Sequence, residues 1–68
     1  MSDDKYLSEE DVSPIIGIKA STLRVWRATK KGPPYYKIEG AVRYLESELM
    51  EWVNKRRIDP KPDEVTND

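Results

Sequence analysis

The chain has 68 residues, with 12 Lys or Arg against 13 Asp or Glu and a formal net charge of −1. That length allows one small domain with a modest core. The chain contains neither Cys nor His, which excludes disulfide staples, thiolate zinc sites and any nucleophile worked by a histidine base.

Ser8-Glu9-Glu10-Asp11 reads as the start of a helix. A serine hydroxyl accepts from first-turn amides, and acids suit the positive end of the helix dipole. Tyr6 or Leu7 can pack back on that turn as a hydrophobic staple. Val12, Ile15 and Ile16 follow at i, i+3, i+4 and predict one buried face. Pro14 lacks an amide hydrogen and its ring presses on the carbonyl of Glu10, so the helix is either short and kinked or restarts with Pro14 in its first turn. Gly17 ends it as a left-handed C-cap. After the tight connection Ile18-Lys19, a second helix is predicted from about Ala20 to about Thr29. Leu23 and Trp26 are its core anchors, and Arg27, with Lys30 beyond, lies along the same side. Ser21, Arg24, Val25 and Ala28 face the other way.

Lys31-Gly32-Pro33-Pro34 ends that helix and forces an extended chain. Tyr35 to Ile38 then reads as a strand and Val42 to Leu45 as its partner, joined by the loop Glu39-Gly40-Ala41. Alternation puts Tyr36, Ile38, Val42 and Tyr44 on the core face and lets Lys37 and Arg43 project outward together. Tyr35 fits either face. A third helix is predicted from Glu46 or Ser47 to about Arg57. Its stripe is Leu49, Trp52 and Val53, with Met50 at the edge and Glu51 and Lys55 as an i, i+4 pair. Trp26, Trp52, Tyr36 and Tyr44 read as core, and Lys55-Arg56-Arg57 as a helix-ending cationic patch. The predicted fold is mainly α with a small β-hairpin: a helix-turn-helix, a two-stranded wing and a third helix over residues 6–57. A flexible N-terminus (1–5) and a disordered acidic tail (58–68) are expected to flank it.

The small net charge hides a strong asymmetry. Residues 1–18 carry five acids against Lys5, and residues 44–68 carry seven acids against four cations. Between them, residues 19–43 carry seven cations against Glu39 alone. A central positive block of this kind is the electrostatic footprint of a nucleic-acid binder. The N-terminus is acidic and polar, unlike a secretory signal, and no apolar run has the length of a membrane span. The expectation is a cytoplasmic, DNA-associated protein of a bacterial or phage-infected cell. No cofactor, metal, membrane or small-molecule substrate is expected. Catalysis is not expected either, since there is no glycine-rich phosphate loop and the carboxylates lie on helix starts and the tail.

Taken in order, Tyr6-Leu7-Ser8 to Val12, Ile15-Ile16-Gly17-Ile18, Ser21-Thr22-Leu23-Arg24-Val25-Trp26, Gly32-Pro33-Pro34-Tyr35, Lys37-Ile38, Val42-Arg43-Tyr44 and Ser47-Glu48-Leu49-Met50-Glu51-Trp52 resemble the excisionase/AlpA-like family within the MerR-like winged-helix superfamily. In that family the second helix enters the major groove, the hairpin wing lies on the flanking backbone or minor groove, and the third helix is scaffold. The resemblance implies double-stranded DNA as the partner. It also implies a role as a phage or mobile-element excisionase, that is, a recombination directionality factor, or as a small transcription regulator. An integrase or recombinase, or further copies of the chain on DNA, would be its companions.

The family pattern maps onto Ser21, Thr22 and Arg24 of helix two and onto Lys37 and Arg43 of the wing. Arg24 has the planar fork that bridges two acceptors on guanine. Ser21 and Thr22 sit where hydroxyls and free amides grip phosphate. Val25 and Ala28 suit a thymine methyl, and Arg27, Lys30, Lys31, Lys37 and Arg43 suit phosphates. This sequence departs from the family pattern at Pro14, at Lys19, where a Ser or Thr cap is common, and at Glu39, an acid at the wing tip. Glu39 and the acidic chain ends support an alternative, a protein-interaction module of the same fold such as a viral packaging adaptor.

Overall fold

The capping signals at Ser8 and Gly17 bound the first helix as read. In the computed structural model, which describes residues 4–60, α1 spans Glu9–Ile16. The Ser8 hydroxyl accepts from the Asp11 amide at 3.1 Å and the Asp11 carboxylate accepts from the Ser8 amide at 3.2 Å. This is a reciprocal capping box with aspartate in place of the usual glutamate. The helix runs through Pro14 without restarting. It stops at Gly17 (φ 72°), where the amides of Gly17 and Ile18 both donate to the Ser13 carbonyl. Val12 is fully buried and Ile16 packs against the core, whereas Ile15, expected in the same stripe, is 47% exposed. On a helix Ile15 and Ile16 lie on opposite sides of Val12, and the neighbouring elements cover only the Ile16 side.

The three-residue turn Gly17-Ile18-Lys19 leads into α2, Ala20–Ala28, with Leu23 fully buried and Trp26 half-buried. Its end is closed by the Thr29 hydroxyl, which donates to the carbonyls of Val25 and Trp26 at 2.9 and 3.2 Å. Lys30 follows with φ 59° and Gly32 with φ 89°. A Cβ on Gly32 would sit 3.0 Å from Trp26 Cε3 and 3.1 Å from Trp26 Cβ. Only glycine lets the chain fold back over that indole on its way to the buried Pro33.

The hairpin consists of β2, Tyr36–Ile38, and β3, Ala41–Leu45. Its turn is two residues long, not three: Glu39 (φ 51°) and Gly40 (φ 86°) both have positive φ, as a type I′ turn requires. Ala41 pairs with Ile38, Val42 with Lys37 and Arg43 with Tyr36. Shortening the loop by one residue shifts the register by one and turns β2 over relative to β3. Lys37 therefore shares a face with Val42 and Tyr44, while Tyr36 and Ile38 share the other with Arg43. The expected core positions Tyr36 and Ile38 are exposed. Glu39 is the residue in this turn that glycine or asparagine would occupy without strain. Glu39→Asn is expected to raise stability by up to about 1 kcal/mol, measured as a higher midpoint in urea unfolding.

A third strand, β1 (Tyr6–Leu7), stands where the sequence suggests only a hydrophobic staple. It pairs antiparallel with β3, Tyr6 against Leu45 and Leu7 against Tyr44, and gives the sheet order β1-β3-β2. Leu7 thereby joins Val12, Leu23, Tyr44 and Leu49 as the buried core. The α3 helix, Glu46–Asn54, follows β3 directly and ends before Arg57. Trp52 lies 5.9 Å from Trp26, and the Arg56 guanidinium covers its ring at 3.8 Å.

The α3 helix has no side-chain cap of its own at Leu45. Its first turn is closed from the other end of the chain. The Lys5 carbonyl accepts from the Glu46 amide at 2.9 Å, and the Asp4 carboxylate accepts from the Ser47 amide at 3.0 Å and the Ser47 hydroxyl at 2.8 Å. Asp4 and Lys5, expected in a flexible N-terminus, are thus bonded to the third helix. Asp4→Ala is expected to cost about 1 kcal/mol, as loss of an N-cap does, visible as a lower thermal midpoint. Of the expected disordered tail, Ile58 to Pro60 run without regular structure. Residues 61–68, like residues 1–3, lie outside the described residues.

Candidate nucleic-acid interface

The helix α2 sits with its Leu23 side in the core and offers Ser21, Arg24, Val25 and Ala28 to solvent, as its periodicity requires. Thr22 is half-buried beside them. Lys19 has extended backbone and supplies no side-chain cap, so the hydrogen-bond ladder of α2 begins with Leu23 donating to the Lys19 carbonyl at 3.1 Å. The amides ahead of it form the positive end of the helix dipole, next to the Ser21 and Thr22 hydroxyls. Val25 is 59% exposed, an apolar side chain on the same open face as Arg24.

Arg24 is exposed but partnered. Its Nε donates to Glu9 Oε2 at 2.8 Å, and its side chain remains 58% exposed. The other oxygen of Glu9 accepts from Arg27 Nη2 at 3.0 Å, and Arg27 Nη1 donates to the Tyr44 hydroxyl at 2.8 Å. The Arg27 guanidinium also lies 5.7 Å from the centre of the Tyr35 ring. Arg27 and Glu9 are each only 15% exposed. Arg27, expected to touch phosphate from the outside, is instead an internal strut joining α2 to β3 and α1. The hydrogen bond from Arg24 does most to hold the Glu9 carboxyl below the usual carboxylate range, with burial opposing and Arg27 assisting. Burial works against the charge of Arg27, but its bonds to Tyr44 and Glu9 outweigh that and raise its pKa.

The wing cations do not project together. Lys37 stands exposed on the hairpin face that also carries Val42 and Tyr44, whereas Arg43 stands on the opposite face beside Tyr36. Arg43 is half-buried, and its Nη1 donates to the Val42 carbonyl at 2.7 Å. Lys30 and Lys31 line an open cleft with Arg27, Gly32, Pro33, Pro34 and Tyr35, between the end of α2 and the base of the wing. Tyr35, just ahead of β2, lies 6.2 Å from the Tyr44 ring, on the hairpin face that Lys37 shares. Lys30 and Lys31 therefore lie toward the Lys37 face of the wing, while Arg43 lines a different cleft, with Ser8, Glu9, Glu10, Arg27 and Val42. Among the described residues no group of three or more carboxylates, histidines or cysteines could hold a metal ion. No helix there is long and apolar enough to cross a membrane.

The model of the helix-turn-helix domain family matches residues 6–57, the stretch that holds every element from β1 to α3. The chain belongs to the helix-turn-helix domain family. Among the described residues, three helices and a three-stranded antiparallel sheet make a small, mainly helical winged helix-turn-helix, in which α1 and α2 are the helix pair and the β2–β3 hairpin is the wing. A helix-turn-helix domain points to DNA as partner, with its second helix as the reading element. No curated protein and no solved structure gives a significant match.

Within this helix-turn-helix, Glu9 is the partner of Arg24 and Arg27 that the sequence does not reveal. In the sequence it is one of three acids in the first turn of α1, all suited to the helix dipole. Nothing local marks it, because its partners lie 15 and 18 residues away and meet it only once α2 packs on α1.

Proposed function

We propose that this helix-turn-helix protein binds double-stranded DNA sequence-specifically, as a phage or mobile-element excisionase or a small transcription regulator. In this reading the first turns of α2 enter the major groove, with Arg24 on a base edge, Ser21 and Thr22 on phosphate, and Val25 against a thymine methyl. Lys30, Lys31 and Lys37 contact the flanking backbone, and Arg43 contacts phosphate from the other edge of the wing. The observation that carries the reading is the open row on α2, where Arg24 stands exposed in the helix that such domains place against base edges. A single domain of this size reads few base pairs, so specificity calls for repeated sites or partners. Further copies of the chain on adjacent sites, or an integrase or recombinase, fit that need. The reading needs no cofactor and assigns no catalytic role.

The experiment is enrichment of duplexes from a randomised pool by the full chain, followed by gel shifts of the enriched duplex at increasing salt. Recovery of a defined motif, bound with a salt slope set by the phosphate contacts, supports the reading. Absence of binding to any duplex at low salt sinks it. That outcome favours the second reading, a protein-interaction module such as a packaging adaptor. The observation on its side is the outer sheet face, where Tyr6, Tyr36 and Ile38 are exposed around the Tyr6–Tyr36 edge contact at 5.7 Å.

A further inference from the structure

Glu9 stands at the first position of α1, yet both its oxygens are spent on α2. One holds Arg27, which is itself fixed by the Tyr44 hydroxyl and lies against the Tyr35 ring. The other holds Arg24 through Nε alone. A hydrogen-bonded chain thus runs from buried Tyr44 through Arg27 and Glu9 to the exposed guanidinium.

We propose that Glu9 is a positioning residue for base recognition: by gripping Nε of Arg24 it aims the two terminal nitrogens outward, gaining sequence selectivity at the expense of general affinity for duplex DNA. The proposal rests on the DNA-binding reading above and deepens it. An unrestrained arginine must lose rotamer freedom on binding, and it reaches phosphates as easily as bases. An arginine held at Nε keeps only its terminal fork, which is the part that bridges O6 and N7 of guanine. Holding it in advance moves the ordering cost from the complex into the fold. The carboxylate also repels the polyanionic backbone, which weakens sequence-independent contact more than a correctly seated base contact. Glu9 can do this because it is anchored by Arg27 and its side chain is only 15% exposed. Its carboxyl is held below the usual range, so it stays ionised wherever DNA binding is measured.

The test uses the full chain and two probes, the duplex enriched by the wild-type protein and a scrambled duplex of the same composition. Glu9→Gln is expected to lower the ratio of enriched to scrambled affinity about tenfold, the scale of one base contact. Affinity for the scrambled duplex should hold or rise, and its salt slope should steepen by about one, as for one added phosphate contact. In an Arg24→Ala background the same change is expected to leave the ratio of enriched to scrambled affinity unmoved, because no fork remains to be aimed. Arg24→Lys keeps the charge without the fork and leaves Glu9 in place, so it keeps the proposal open to refutation even where Glu9→Gln folds poorly: the ratio should fall while scrambled affinity persists. An unchanged ratio in Arg24→Lys, equal loss on both duplexes in a folded Glu9→Gln, or an effect of Glu9→Gln on the ratio that adds to that of Arg24→Ala would overturn the role of Glu9 while leaving DNA binding intact. Enrichment of no duplex by the wild type overturns the DNA-binding reading, and this proposal with it.

Discussion

Replacing Arg24 with alanine is expected to erase most of the discrimination between the enriched duplex and a scrambled one while leaving the fold intact. A bidentate arginine–guanine contact is worth roughly 1–3 kcal/mol of discrimination, or about tenfold to more than a hundredfold in relative affinity. The cost to stability should be small. Among the described residues the bond lost is the pair with Glu9, and Arg24 is 58% exposed; such pairs contribute about 0–1 kcal/mol. Glu9 also keeps Arg27 at 3.0 Å, so no buried carboxylate is stranded. Competition gel shifts against scrambled duplex, paired with a thermal melt, separate the two effects. A variant that keeps its preference would remove Arg24 from the base-reading role. A variant that loses preference only because it unfolds would show that the pair matters more to the fold than its exposure implies.

Arg27→Ala should do the reverse. By charge and position Arg27 belongs with Lys30 and Lys31 as a backbone contact, but its side chain is only 15% exposed and already satisfied by Glu9 and Tyr44. Truncating it strips a bond from a buried tyrosine hydroxyl and leaves a largely buried carboxylate with one partner. Breaking charged, half-buried hydrogen bonds of this kind costs about 2–3 kcal/mol. For a domain of this length total stability is on the order of 5 kcal/mol, so the thermal midpoint should fall by roughly 10–20 °C. Lys31→Ala is the matched control. Lys31 is exposed and bordered by the cleft at the base of the wing, so its loss should leave the melt unchanged and reduce the salt slope of DNA binding by about one. Should Arg27→Ala melt like the wild type and flatten the salt slope, the strut described here is not what holds α2 to β3.

The pattern of agreement follows the reach of each signal. Ser8 caps through Asp11, Gly17 closes on Ser13, and Leu23 and Trp26 share a helix face. Each involves residues within one turn or so, and each was legible. The open row on α2 was legible for the same reason, since a helix of known phase with two apolar anchors has only one outward side. The wing shows where legibility ends. A hairpin was evident from Gly40 and the flanking β-formers, but whether its loop held two residues or three was not. That single residue decided whether Lys37 and Arg43 stood together or apart. Glycine at position 40 was recognised, whereas Glu39 in a left-handed conformation runs against residue preference and could not be anticipated from it.

What the sequence by itself determined is the order of the three helices and the hairpin and which side of each helix seeks the core, because cap chemistry and apolar spacing act within a few residues and do not depend on neighbours. What only the tertiary structure decided is which distant groups meet: β1 against β3, Asp4 on the first turn of α3, and Glu9 between Arg24 and Arg27. Those contacts exist because packing on Leu7, Val12, Leu23, Tyr44 and Leu49 brings elements together from opposite ends of the chain, and no local pattern carries the distance between them.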